Sequence, residues 1–140
     1  MKRDNLILSC KKLTVALFLV LFGASVVFAQ TRAYVPNVGD FTVSVIDSAT
    51  NTVVATVPVG VLPIAVAVTP DGAFAYVTNQ FDNTVLVIEA ATNTVVATVP
   101  VGQGPTGVAI TPNGAFAYVT NLFGNTLSVI DTATNTAFGL

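Results

Sequence analysis

Residues 76–79 read Tyr76-Val77-Thr78-Asn79, and 118–121 read Tyr118-Val119-Thr120-Asn121, the same four residues 42 positions later. One step upstream stands a one-residue variant, Tyr34-Val35-Pro36-Asn37. Working outward, Ile46, Ile88 and Ile130 keep the 42-residue step. So do the triplets Thr50-Asn51-Thr52, Thr92-Asn93-Thr94 and Thr134-Asn135-Thr136. Laid over one another, 34–75 and 76–117 agree at 29 of 42 positions, and a partial third copy occupies 118–140. A period of this length marks a repeat architecture in which each unit buries its apolar face only against its neighbours.

Each copy reads as four short strands. In the second they fall at about Phe74 to Thr78, Thr84 to Glu89, Thr94 to Val101 and Thr106 to Thr111, rich in the Val, Ile, Thr and Tyr that suit a pleated surface. Val85-Leu86-Val87-Ile88 does not alternate, so that strand needs cover on both faces. Sheets stacked face to face around an axis supply it. Thr69-Pro70-Asp71-Gly72 and Thr111-Pro112-Asn113-Gly114 place Pro where a fixed φ helps and Gly where a positive φ is needed, predicting tight turns. No stretch after residue 29 carries a helical period.

The Tyr-Val-Thr-Asn tetrads, the Val-Ala-Val-Thr-Pro-Asp-Gly run at 66–72 and the Val-Ile-Asp stretches resemble the YVTN-type β-propeller repeat. That resemblance implies an all-β fold of β-propeller blades, each a four-stranded antiparallel sheet, in a secreted or surface-layer type of protein whose propellers are commonly seven-bladed. By the same analogy the innermost strands lie at 64–69 and 106–111 and Val95 to Val101 is outermost. Small residues at Ala65, Ala67, Gly107 and Ala109 would then suit the crowded axis. The chain carries only about 2.6 repeats, whereas propellers use about four to eight blades. The expectation is an incomplete propeller, a truncated product or fragment, or one that self-associates through open blade edges.

Residues 1–29 read as a signal peptide. Lys2, Arg3, Lys11 and Lys12 precede the apolar run Leu13 to Phe22, and Val27-Phe28-Ala29 offers a cleavage site before Gln30. Export to the periplasm, the cell surface or the medium is expected, with membrane attachment only through an uncleaved signal segment. The repeat domain, 30–140, keeps one base, Arg32, against six acids, a net charge of −5. That balance argues against nucleic acid, whose phosphates need Lys and Arg. The domain has no Cys, His, Lys, Trp or Met, so no cofactor is expected, and neither zinc, copper nor haem iron would find its usual ligands.

Catalytic motifs fail their context tests. Gly102-Gln103-Gly104-Pro105-Thr106-Gly107 matches G-x-G-x-x-G, but a Pro and another strand follow where a dinucleotide site needs a helix. Ser44, Ser48 and Ser128 have no His or Lys to activate them. Asp47, Glu89 and Asp131 recur once per repeat, too few for a calcium shell of about six oxygens, and are read as turn caps.

The thirteen differences between the two full copies are more informative. Positions 36, 38, 39 and 41 lie in or beside the loop after the Tyr strand, and 61, 62, 64 and 65 in the loop leading to the innermost strand. In propeller geometry these loops share a face, where a rigid scaffold carries its binding residues. The candidates are Val61, Leu62, Gln80, Phe81, Asp82, Gln103, Leu122 and Phe123. The expected function is a non-enzymatic exported module that binds a protein, glycan or small ligand or builds a surface layer. The alternative is a fragment of a periplasmic propeller enzyme of haem, quinone or lactonase-like type.

Overall fold

The computed structural model describes residues 31–139, so the segment 1–29, expected to be a signal peptide, lies outside the described residues. Eleven strands follow one another: β1 Arg32–Asn37, β2 Thr42–Asp47, β3 Thr52–Pro58, β4 Pro63–Val68, β5 Phe74–Asn79, β6 Thr84–Glu89, β7 Thr94–Pro100, β8 Pro105–Ile110, β9 Phe116–Asn121, β10 Thr126–Asp131 and β11 Thr136–Gly139. They form three antiparallel meanders: β1-β2-β3, β4-β5-β6-β7 and β8-β9-β10-β11. The described residues contain no helix.

The sheets begin one strand before each Tyr-Val-Thr-Asn tetrad, so the 42-residue repeat and the structural blade are offset. Two blades therefore carry all four strands, although the tetrad-based count leaves the third copy partial. Ala137-Phe138-Gly139 departs from the Val-Val-Ala of the two earlier copies, yet the third blade keeps its outermost strand. β11 pairs with β10 from Asp131↔Thr136 to Ser128↔Gly139. The innermost strands β4 and β8 neighbour one another, as strands converging on an axis do.

Blade stacking supplies the core. Tyr34, Val43, Val45 and Val57 of the first blade bury against Ala75, Val77 and Ile88 of the second. One repeat on, Tyr76, Val85, Val87 and Val99 bury against Ala117, Val119 and Ile130 of the third. Each fully buried Val or Ile contributes about 1.5–3 kcal/mol. The central blade is covered on both sides, and Val85 to Ile88 are all buried, as their unbroken apolar run required. In the third blade β9 reverts to alternation, with Ala117, Val119 and Asn121 buried and Tyr118 and Thr120 exposed.

The turns follow local chemistry. Gly72 and Gly114 take φ of 72° and 74°, and their N–H groups bond the carbonyls of Thr69 and Thr111 at 2.8 Å. Asp47 and Asp131 accept the N–H groups two and three residues on, while Glu89 accepts the Thr92 hydroxyl at 2.7 Å. Asn51, Asn93 and Asn135 close these turns in the left-handed region, which Asn tolerates better than most side chains.

Candidate functional site

The structure brings the expected residues together in two hydrogen-bonded loop pairs on one end of the blades. At the junction of the first and second blades, the Gln80 N–H donates to the Leu62 carbonyl at 3.0 Å and the Phe81 N–H to the Val61 carbonyl at 3.4 Å. The Val61 N–H in turn donates to the Asp82 carboxylate at 2.6 Å. At the next junction, Leu122 N–H donates to the Gly104 carbonyl at 2.8 Å, and Phe123 and Gly124 N–H both reach the Gln103 carbonyl. Each junction is thus a short backbone clamp between the loop after a blade's Tyr strand and the linker entering that same blade's inner strand.

Side chains crown these clamps. Phe81, Leu122 and Phe123 are each more than 60% exposed, an apolar rim on a face whose neighbouring polar groups are Gln80, Asp82 and Gln103. Asp40 and Asp82 are its acids; the lone base, Arg32, reaches Ala90 O and, at 2.5 Å, Asn93 Oδ1 in the β6–β7 turn at the other end of the blade. The loop face is therefore anionic and partly apolar.

Two features were not singled out from the sequence. Asn83 bridges the junctions: its Oδ1 accepts the Gly104 N–H at 2.8 Å, and its carbonyl accepts Val101 N–H at 3.0 Å. Its signal was an Asn at a position that takes positive φ in every copy, Phe41, Asn83 and Asn125. The second is Asn79, fully buried beneath the first junction with neither side-chain atom hydrogen-bonded. Its counterparts donate to paired hydroxyls, Asn37 to Thr42 and Ser44 and Asn121 to Thr126 and Ser128. In the second copy Leu86 replaces that Ser, which a comparison of 44, 86 and 128 would have exposed.

Leu62 marks a further asymmetry. It holds φ of 60° where the next copy places Gly104 at 67°. A left-handed L-residue costs about 1–2 kcal/mol. A side chain at 104 is barred for another reason, since its Cβ would lie 2.5 Å from Phe123 Cδ2. The linker thus chooses between a strained Leu62 and an aromatic ring folded over Gly104. Among the described residues no three His, Cys, Asp or Glu side chains converge on a metal position.

A sequence model of the family described as lactonase, 7-bladed beta-propeller, matches residues 26–137. No curated protein matches the chain. Among solved structures, a segment of Kuenenia stuttgartiensis hydrazine synthase is similar over 77% of this chain and 31% of its own, with 34% identity and a TM-score of 0.75. A candidate 6-phosphogluconolactonase of Bacteroides fragilis matches over 78% of this chain and 34% of its own, at 24% identity and a TM-score of 0.67. A dihydro-haem d1 dehydrogenase matches over 74% of this chain and 22% of its own, at 23% identity and a TM-score of 0.66. The chain spans between 22% and 34% of the length of these structures. The family match corrects the expectation of a non-enzymatic module, because the family is one of lactonases. The physical reason lies in the architecture. A search for a complete constellation within one repeat is blind to a site whose groups come from the loops of several blades.

Proposed function

Because this chain belongs to the family of seven-bladed β-propeller lactonases, we propose that it is a segment of an exported propeller enzyme of the YVTN-repeat type that opens a cyclic ester. The family match over 26–137 carries this reading. The loop face carries the substrate. Hydrolysis of a lactone needs a base to take a proton from the attacking water and donors aimed at the developing oxyanion. Asp82 is the carboxylate of this segment placed for the first task, held at one oxygen by the Val61 N–H. Phe81, Leu122 and Phe123 offer apolar surface to the ring carbons, and the Gln80 and Gln103 amides offer donors and acceptors to ring substituents. Neighbouring blades complete the constellation.

The test is initial-rate hydrolysis of δ- and γ-lactones followed by pH-stat, comparing the complete propeller, this segment together with its neighbouring blades, with its Asp82→Asn variant. The expected result is hydrolysis above the buffer rate, cut roughly 100-fold or more in the variant, as for loss of a general base. Rates equal to buffer for every lactone would overturn the reading. Export rests on the Val27-Phe28-Ala29 segment, and N-terminal sequencing of the protein from a secreting bacterium should begin at Gln30.

A second reading, a redox propeller, draws on the 34% identity to the hydrazine synthase segment. The donor set does not fit haem iron. Residues 30–140 contain no His, Cys or Met, and the Tyr34 and Tyr76 hydroxyls are enclosed between sheets. No step through haem follows from these residues.

A further inference from the structure

A cavity of about 250 Å³ opens where the second and third blades meet, on the end opposite the loop face. Its walls are Pro70 and Asp71 of the β4–β5 turn, Phe74 at the start of β5, Asn113 and Gly114 of the β8–β9 turn, and Thr132 of the β10–β11 turn. The two hairpin turns meet at its edge, where a Cβ on Gly114 would lie 3.4 Å from Pro70 Cδ. The lactone chemistry proposed above makes no use of this end of the molecule.

The preceding junction shows what the same place holds one repeat earlier. Phe74 occupies the repeat position of Arg32, and Thr132 and Asn135 occupy those of Ala90 and Asn93. At the first junction the Arg32 guanidinium crosses to the second blade, donating to the Ala90 carbonyl and, at 2.5 Å, to Asn93 Oδ1. At the second junction a Phe ring stands where that side chain would start, and Asn135 Oδ1 accepts the Tyr76 hydroxyl instead. The Thr132 carbonyl keeps the place of the Ala90 carbonyl, and the cavity adds a carboxylate, Asp71. Asp71 Oδ1 accepts the Thr69 hydroxyl at 2.6 Å and the Ala73 N–H at 3.0 Å, which leaves Oδ2 for a ligand. The charge balance favours a cation. Asp47, Asp71, Glu89 and Asp131 all lie in or beside the turns of this end, and its base, Arg32, is engaged at the first junction.

We propose that this cavity binds the guanidinium group of a small guanidino compound, as the first junction holds the guanidinium of Arg32. The group is planar and weakly hydrated, so it stacks on the Phe74 ring while its N–H fork reaches the Asp71 carboxylate and the Thr132 carbonyl. The bond to Asp71 is charge-assisted and so the stronger of the two. An ammonium brings the charge without the plane or the fork.

The test is a titration of methylguanidinium chloride into the isotope-labelled complete propeller, followed by amide resonances, with sodium chloride at matched ionic strength as the control. Saturable shifts are expected at Asp71, Ala73, Asn113 and Thr132. Asp71→Asn keeps the turn bonds, as Asn113 does in the next copy, and removes the charge. It should weaken binding about tenfold, as for loss of a hydrogen bond to a charged group. Phe74→Arg should abolish binding, because its own side chain then fills the cavity as Arg32 fills the first junction; circular dichroism checks that the variant keeps its β-structure. n-Butylammonium should bind more weakly than methylguanidinium. A Gly-Arg-Gly peptide blocked at both ends separates the two sources of the group: weaker binding than methylguanidinium supports a small ligand, and tighter binding would overturn it in favour of an arginine side chain. Shifts that do not saturate or that sodium reproduces, unchanged affinity in Asp71→Asn, binding retained by folded Phe74→Arg, or n-butylammonium binding as tightly would each overturn the proposal. None of these readouts depends on lactone hydrolysis.

Discussion

Each residue of the Tyr-Val-Thr-Asn tetrad has a separate physical task. Tyr76 packs on the following blade and donates to Asn135, and Val77 packs on the preceding blade. The Thr78 and Thr120 hydroxyls accept the Ala65 and Gly107 N–H groups, where the inner strand slips register. That slip would otherwise leave each of these backbone donors without a protein partner. Asn37 and Asn121 tie the strand end to the hydroxyls of its neighbour. Pro36 replaces Thr in the first copy, whose described sheet has no strand on that side of β1. Tyr76→Phe should therefore cost about 1 kcal/mol, and Tyr118→Phe, whose side chain is exposed here, almost nothing. Urea unfolding of the two variants measures the difference. Burial first, and the Asp131 carboxylate second, raise the pKa of Tyr76 above its ordinary value.

At the scale of elements, the β4–β5 and β8–β9 turns offer an internal comparison. Asp71 Oδ1 accepts the Thr69 hydroxyl at 2.6 Å and the Ala73 N–H at 3.0 Å; Asn113 Oδ1 accepts Thr111 and Ala115 in the same way. The Thr69 hydroxyl first, and the Ala73 N–H second, lower the pKa of Asp71. A carboxyl lowered in the folded state stabilises the fold above its unfolded pKa of about 4, and that contribution fades as pH falls through the folded value. Asp71→Asn keeps both bonds, as Asn113 demonstrates, and removes the titration. Thermal unfolding across the acid range should show a shallower loss of stability for the variant; identical acid profiles would count against the turn's share. The outer strands β3 and β7 carry another device. Each slips register, between Val45 and Ile46 and between Val87 and Ile88, so Val54 and Val96 bulge outward on edges that would otherwise be flat and apolar.

Over the whole molecule, protection should follow stacking. The central blade is packed on both faces, whereas the first and third are each packed on one. Native-state hydrogen exchange should place β5 and β6 among the slowest amides, and β1 and β11 among the fastest strand amides. Equal protection across all three blades in the monomeric state would contradict a fold held by neighbour contacts. The two clamps of the loop face straddle the entrances to β4 and β8, the pair of strands in closest association between blades.

The 42-residue period, the strand positions, the Pro-Asp-Gly and Pro-Asn-Gly turns and the sharing of one face by the variable loops were all legible in the chain, because each depends on local conformation or on repetition. Gly72 needs its positive φ whatever surrounds it, and Val85 to Ile88 must be covered wherever the cover comes from. Other features depended on residues far apart in sequence. The clamp of Asp82 on the Val61 N–H, the bridge from Asn83 to Gly104, the isolation of Asn79 by Leu86 and the docking of Tyr76 on Asn135 are contacts between strands or blades. A periodic sequence can be cut at any phase, so repetition alone left the blade boundary open; the resemblance placed the innermost strands at 64–69 and 106–111, and strand pairing, which joins β4 to β5 and leaves β3 as an edge, bears that placement out.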